Sequence, residues 1–240
     1  MNFDSAEAYG ENVAGVYDDW YSEVDPHAID VLADLAGGGK VLELGIGTGR
    51  IALPLSAKNV EVHGIDASPS MILRLREKPG GDRITVTQGN FAEVPVDGKF
   101  ELIYIVFNTF FMLLSQEEQV QCFRNVAQHL APGGCFVIEA FVPDLTRFTG
   151  GQVNWATKVT ADQVLLDVGS HDGAKQHVMG QKVVITEGNV RLYPAQIRYC
   201  WPSELNLMAQ LAGLRLRERW GNWKREPFTS ESGHHISIYE

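Results

Sequence analysis

The sequence predicts a doubly wound α/β fold on a mostly parallel, seven-stranded sheet, and two observations carry that expectation. Apolar runs near 40–45, 60–65, 84–87, 100–107 and 135–141 alternate with helix-spaced patterns near 27–36, 50–57, 69–77 and 116–130, which is the rhythm of βαβ units. The first run, Val41-Leu42-Glu43-Leu44, ends in three glycines at alternate positions, Gly45, Gly47 and Gly49. Such a turn reaches positive φ and lets a ligand lie against bare backbone, with no Cβ between them.

Each element has its own signal. The helix from Arg50 to roughly Lys58 points its N-terminus at the glycine turn, where partial positive charge favours a polar ligand. The second run, Val60–Ile65, ends in Asp66, and Ala67-Ser68-Pro69-Ser70-Met71 opens another helix. A carboxylate at that strand end can accept hydrogen bonds from both hydroxyls of a ribose. Asp66, Ser68 and Ser70 are also good helix caps, but the glycine turn one βαβ unit upstream favours the ribose role. The third run, Ile84–Thr87, leads to Gly89-Asn90-Phe91, an amide that can face an exocyclic amine beside a ring that can pack on a purine. In the helix at 116–130, Val120, Phe123, Val126, Ala127 and Leu130 recur near 3.6-residue spacing, and Ser115 with Glu118 makes a capping box.

From about Trp155 to Trp201 the texture changes to period-two runs, Val164–Val168, Lys182–Thr186 and Arg191–Tyr193, separated by Asp172-Gly173 and Glu187-Gly188-Asn189. They predict an antiparallel insertion after the fifth strand. Pro202-Ser203-Glu204 starts a helix through Leu211 that ends at Gly213, and two strands, Leu214–Trp220 and His235–Glu240, close the chain.

Composition narrows the function. The 240 residues, 45% apolar, suit one α/β domain with a sizeable core: a helical lid at 1–36, a cofactor core at 37–150, the insertion at 151–201 and closing elements at 202–240. A net charge of −10 argues against nucleic acid, whose phosphates it would repel. Cys122, Cys135 and Cys200 sit in apolar or helical patterns and read as buried free thiols of a reducing compartment. No metal-ligand spacing appears, with His234-His235 the nearest approach to a pair. The longest apolar stretch, Leu102–Leu114, is too short to cross a bilayer, which takes about 20 residues. Asp4, Glu7 and Glu11 are no signal peptide. A cytoplasmic monomer or homodimer is the expectation.

Three strand ends, each suited to a different part of one nucleoside, resemble the class I S-adenosylmethionine-dependent methyltransferases of the small-molecule or natural-product type. Their glycine motif is matched by Glu43-Leu44-Gly45-Ile46-Gly47-Thr48-Gly49, their ribose acid by Asp66 and their adenine motif by Gly89-Asn90-Phe91. Strand four at Phe100–Phe107 and the turn Leu130-Ala131-Pro132-Gly133-Gly134 complete the family's order, and the match is specific through about Val142. Many relatives carry Asp where this chain has Asn90. The resemblance implies a Rossmann-like methyltransferase fold and S-adenosyl-L-methionine as cofactor, released as S-adenosyl-L-homocysteine. It implies cofactor contacts from Glu43, Gly45, Gly47, Thr48, Gly49, Asp66, Ala67, Met71, Asn90 and Phe91, with the Val106 carbonyl accepting from the cofactor's ammonium.

Methyl transfer from a sulfonium asks mainly for positioning, which in good intramolecular cases supplies about 7–11 kcal/mol. The expected reaction is in-line transfer to a nitrogen or oxygen of a small molecule or short peptide. The acceptor would lie between the insertion and a lid holding Tyr9, Tyr17, Trp20 and Tyr21, with Tyr17 and Asn108 as catalytic candidates. The segment Phe107-Asn108-Thr109-Phe110-Phe111-Met112 should face the methyl group. It lacks a histidine base, and its Asn-Thr-Phe-Phe portion is similar to linaridin peptide α-N-methyltransferases. His171, Arg198 and the Trp220–Trp223 turn are weaker polar candidates. Two alternatives share the glycine turn. An NAD-dependent oxidoreductase would use Gly47-x-Gly49-x-x-Ala52 and Asp66 but needs a proton donor that the sequence does not display. A non-catalytic S-adenosylmethionine-binding protein would keep the same turn without turnover.

Overall fold

The structure, a computed structural model, describes residues 6–240, so the first five residues of the expected lid, Asp4 included, lie outside it. The chain opens with two short helices, α1 (Ala6–Val13) and α2 (Tyr17–Trp20), followed by α3 (Pro26–Ala36). It then alternates β1 (Val41–Leu44), α4 (Ala52–Ala57), β2 (Val62–Asp66), α5 (Pro69–Arg76), β3 (Thr85–Gln88), β4 (Phe100–Ile105), α6 (Gln116–His129) and β5 (Leu130–Phe141). Strands β6 (Gln152–Val159), β7 (Gln163–Asp172), β8 (His177–Thr186) and β9 (Asn189–Arg198) follow. Helix α7 (Pro202–Leu211), β10 (Leu216–Trp220) and β11 (His234–Tyr239) end the chain.

The main sheet has the order β10-β11-β5-β4-β1-β2-β3, parallel throughout except for β11, which runs against both neighbours. Side chains alternate across it. Leu42, Leu44, Ile103 and Ile105 meet α6 and α7 through Phe123 and Leu205, while Val41, Leu102 and Tyr104 meet Leu32 of α3 and Leu55 of α4. Both faces are covered, and the strands read as near-continuous apolar runs for that reason.

Helix α3 is thus part of the core, with Ile29 and Leu32 buried, and α1 and α2 are the segments left to cover the site. Asp25 caps α3 by accepting the His27 N–H at 2.9 Å. Two boundaries depart from expectation. Strand β4 stops at Ile105 because Phe107 and Asn108 turn to φ 58° and 66°. Strand β5 begins at Leu130: Phe100 pairs with Leu130 and Leu102 with Cys135, so the expected Pro132-Gly133-Gly134 turn is a bulge inside the strand, with Gly133 at φ 80°.

The insertion is a separate four-stranded antiparallel sheet, β6-β7-β8-β9, starting at Gln152, three residues before the change of texture in the sequence. Its hairpins turn after Asp172 and Thr186, where the glycine signals lie. Among the described residues no helix is long and apolar enough to cross a membrane.

Candidate active site

The sheet order reverses between β1 and β4, and the glycine turn follows β1 at that switch point, where open α/β sheets bind ligands. The turn is pinned to β2 by the Gly45 and Ile46 N–H groups, which donate to the Ile65 carbonyl at 2.8 and 2.9 Å. Its glycines differ in purpose. A Cβ on Gly45 would lie 2.5 Å from Thr109 Cγ2 and one on Gly49 3.0 Å from Leu75, whereas Gly47, at φ 55°, would meet nothing within 4 Å. Gly47 is the one that faces open space.

Asp66 stands beside it. Its Oδ2 accepts the Gly47 N–H at 2.7 Å and its Oδ1 the Ser68 N–H at 2.9 Å. Burial pushes the carboxyl pKa up, against these two donors. The cap of α5 is Ser68, whose Oγ accepts the Met71 N–H at 3.1 Å, so the competing capping role belongs to Ser68. Glu43 lies beneath the turn at 3% exposure, accepting the Tyr104 hydroxyl at 2.8 Å, and burial lifts its pKa to about 8.

At the end of β3 a cavity of about 450 Å³ opens between Ala67, Asn90, Phe91, Met112 and Leu113. Asn90 first builds the turn, its Oδ1 accepting the Ala92 N–H at 2.9 Å. Phe91 is buried, and one edge of its ring lies below Gly45. Met71 packs under Val13 and Ala14 of the lid.

The loop after β4 does not present its whole aromatic run. Phe110 and Phe111 are fully buried in the core and Met112 turns to the Asn90 cavity, because Thr109–Met112 winds into a 3₁₀ turn with its apolar side inward. That leaves Phe107 to face the open side. The Asn108 Oδ1 accepts the Phe141 N–H at 2.7 Å, and the Val106 carbonyl accepts the Thr109 N–H at 3.2 Å. Two consecutive non-glycine residues in the left-handed region are strained. Glu139 of β5 holds them: its Oε2 accepts the Phe107 N–H at 3.0 Å, its carbonyl the Asn108 N–H at 3.2 Å, and its Oε1 the Trp223 indole N–H at 2.8 Å. Glu139 was missed in the sequence, although a lone acid in Phe136-Val137-Ile138-Glu139-Ala140-Phe141 was a signal.

The lid is fastened to the glycine-turn side. Gly10 sits so close to Ser68 that a Cβ would come within 2.5 Å of it. Glu11 accepts from the Ser68 hydroxyl (2.6 Å), the Ser70 N–H (2.9 Å) and the Ser70 hydroxyl (2.6 Å), at the positive end of α5. Asp18 accepts the Thr48 hydroxyl at 2.7 Å and pairs with Lys78 at 2.7 Å, whose ammonium also donates to the Thr48 carbonyl at 2.9 Å. Burial works against the Asp18 charge, but Lys78 and Thr48 outweigh it and its pKa falls.

Tyr17 lies within electrostatic reach of Arg50, Glu43 and Asp66, and burial lifts its pKa to about 12. Tyr21 meets Phe107 edge-on at 5.0 Å and Trp20 meets Tyr193 of β9 at 4.7 Å. Trp20, Tyr21, Phe107 and Tyr193 wall a cavity of about 930 Å³ between lid, insertion and the Arg50–Phe107 pair, in which the Arg50 guanidinium lies 4.2 Å from the ring centre; Tyr17, 5.0 Å from the Tyr21 ring, is outside its lining. The weaker candidates are structural. Arg198 pairs with Glu204 at 2.7 Å, and His171 binds the Tyr199 hydroxyl at 2.9 Å and stacks on Phe148.

A switch-point glycine turn, a half-buried acid at the end of β2, a pocket after β3 and an antiparallel seventh strand describe a nucleoside-binding transferase of the Rossmann-like kind. Comparison with known proteins makes this particular. The family described as "Methyltransferase domain" matches residues 41–134. The CcbJ methyltransferase of Streptomyces caelestis superposes with a TM-score of 0.92 at 37% identity, over 99% of this chain and 98% of that one. The cypemycin N-terminal methyltransferase of a Streptomyces species is 28% identical over 204 residues, 85% of this chain and 83% of that protein. An S-adenosylmethionine-bound amino pentose methyltransferase, CalS10 of Micromonospora echinaspora, shares the fold with a TM-score of 0.69 at 18% identity, over 93% of this chain and 96% of that one. The chain belongs to the class I S-adenosylmethionine-dependent methyltransferases, and S-adenosylmethionine is its methyl donor. The oxidoreductase and the non-catalytic binder find no support among these relatives.

Proposed function

We propose that the enzyme, acting as one methyltransferase domain, methylates an amine nitrogen of a small molecule or short peptide held in the 930 Å³ cavity. The observation that carries this reading is the cavity itself, roofed by the lid and opening on Phe107 beside the glycine turn. The name of the cypemycin relative supports nitrogen as the acceptor atom and a peptide as one form of acceptor. Three buried free thiols support a reducing, cytoplasmic setting.

The residues present suit the cofactor: open space at Gly47, a half-buried carboxylate in Asp66 and a nucleobase-sized pocket beside Ala67. In this reading Asp66 holds the ribose hydroxyls, Asn90, Phe91 and Ala67 hold the base, and the backbone of Gly45, Gly47, Thr48 and Gly49 lies along the methionine portion. Glu43 and the Val106 carbonyl favour its ammonium, and Met71 supports this wall from beneath the lid. When bound, the sulfonium supplies a methyl group already activated for in-line displacement. The chain's part is to orient and to exclude water. Tyr17, neutral far above physiological pH, donates its O–H rather than taking a proton, and Asn108 fixes the loop that aims Phe107. The Tyr21 and Phe107 rings wall the acceptor end of the cavity.

Among the described residues lining the cavity there is no histidine. Its two carboxylates, Asp19 and Glu23, are exposed to solvent, so in this reading the acceptor amine docks after losing its proton to solvent, and kcat/KM rises with pH up to the amine's own pKa. Incubation with S-adenosylmethionine and matched peptides with free or acetylated N-termini, amino sugars and their hydroxyl counterparts, read by mass spectrometry, tests the reading. Methyl gain on free amines is expected. Methylation confined to hydroxyl acceptors would overturn it.

A further inference from the structure

The large cavity has a charge balance opposite to that of the chain. The whole sequence carries −10, yet among the described residues the cavity wall sets Arg50, Lys158, Lys182 and Arg191 against Asp19 and Glu23. The strand register shows how these cations are laid out. Lys158 lies opposite Leu165, Leu165 opposite Val184, and Val184 opposite Arg191. The four make one cross-strand row, an apolar centre with a cation on each edge strand, spanning about 14 Å at roughly 4.8 Å per strand.

The other two cations are already engaged. Lys182, one step along the face, pairs with Asp167 at 2.9 Å and lies 5.5 Å from the Trp20 ring centre. Arg50 donates to the Glu23 carbonyl at 3.0 Å and covers Phe107. Among the described residues Lys158 and Arg191 enter no ion pair; Asp162 at the hairpin turn is held below the ordinary carboxylate range first by the Thr160 hydroxyl and only last by the charge of Lys158.

We propose that this row is a subsite for an anionic group, a carboxylate, phosphate or sulfate, carried by the methyl acceptor at the end remote from its nitrogen. The proposal rests on reading the cavity as the acceptor site. The guanidinium of Arg191 offers a planar pair of donors matched to two oxygens of such a group, and Lys158 adds a mobile point charge. Leu165, buried at 7% exposure, and Val184 form an apolar floor between the two cations, against which the body of the acceptor can lie. A cleft of positive sign on an acidic protein also concentrates anions from solution.

The test is a nuclear magnetic resonance titration of the protein loaded with S-adenosylhomocysteine, using benzoate and benzamide, which match in shape and differ in charge. The backbone amides of Leu165 and Val184 report. Saturable shifts with benzoate, at least tenfold weaker with benzamide and at least tenfold weaker for benzoate in the Lys158→Gln/Arg191→Gln double variant, are expected. Equal responses to both ligands, no saturable response to benzoate, or an unchanged response in the double variant would overturn the subsite. Binding of S-adenosylhomocysteine in the same samples reads the underlying assignment separately. Benzoate on the row of a protein that does not bind S-adenosylhomocysteine would keep the anion site and remove its reading as part of a methyl-acceptor pocket.

Discussion

Around the glycine turn nearly every polar side chain already has a partner within the protein: Asp66 grips two backbone N–H groups, Glu43 holds Tyr104 and Thr48 is latched to Asp18. Across the cavity the insertion sheet is the reverse. Along its four strands Leu165 and Arg198 are the buried residues, and the rest stand half-exposed or exposed. A wall made of backbone and pre-engaged side chains fits one ligand and resists change, whereas a wall of side chains on a pleated sheet can change its ligand one residue at a time. On the proposed reading the first wall is the donor half, fixed by the reaction, and the second is the acceptor half, where relatives can differ.

The hardest blow to the donor half should come from Gly47→Val. At φ 55° a branched residue costs about 1–2 kcal/mol of stability, and its methyl groups project into the open space that the cofactor needs. Calorimetry should show S-adenosylmethionine binding lost by a hundredfold or more, with a cooperative melt only a few degrees lower. Ordinary affinity would mean that the turn does not touch the cofactor, and the contrast between the halves would collapse.

Next in size is Asp66→Ala. Removing a charged acceptor costs about 1.5–3 kcal/mol, so the dissociation constant should rise roughly tenfold to a hundredfold. An unchanged value would remove the ribose assignment. The acceptor half should answer differently: Tyr21→Ala should raise the acceptor KM several-fold and leave cofactor affinity within twofold, since its ring packs on Phe107 in the cavity wall. A matching loss of cofactor affinity would show that the two halves are one.

The lid sharpens the comparison because it belongs to both. The aromatic residues of 1–21 suggest a role on the acceptor side, so that removing the segment should cost activity more than cofactor affinity. Glu11 and Asp18, however, fasten the lid to the Ser68 cap and to Thr48. Asp18→Asn should therefore weaken cofactor binding several-fold with the acceptor KM little changed; an effect on acceptor KM alone would return the lid wholly to the acceptor half.

How legible this was follows the same division. The glycines, Asp66 and Gly89-Asn90-Phe91 are adjacent in sequence to the strands that carry them, so pattern and spacing could set them at strand ends, where the structure has them, and the seven-stranded sheet followed. The loop after β4 misled, because Phe107, Phe110 and Phe111 look alike in sequence and only the left-handed turn at 107–108 decides which ring faces out. Glu139, Glu11 and Asp18 act on partners 30 to 84 residues away, and a single sequence carries no signal of such pairings beyond an acid in an apolar or aromatic setting. The cationic row needs the register of three hairpins before Lys158 and Arg191 share a face.

The smallest effect probes how rigid the donor half is electrically. Glu43 holds its proton to about pH 8 because it is buried, whereas in the unfolded chain it ionises near the ordinary value for glutamate, about 4.3. The folded state therefore binds more protons across that window. The stability this contributes is full below the unfolded pKa and is lost as pH rises through about 8. Glu43→Gln should melt with a flatter pH profile between 5 and 8. A positively charged cofactor brought close works the other way, favouring the carboxylate. Binding near neutral pH should then release a proton, and affinity should climb with pH up to about 8. Calorimetry in two buffers of different ionisation enthalpy should show that release in the native enzyme and not in Glu43→Gln. Equal heats in both buffers would mean that the buried acid supports only the turn and Tyr104, and that Asp66 and the backbone hold the cofactor without it.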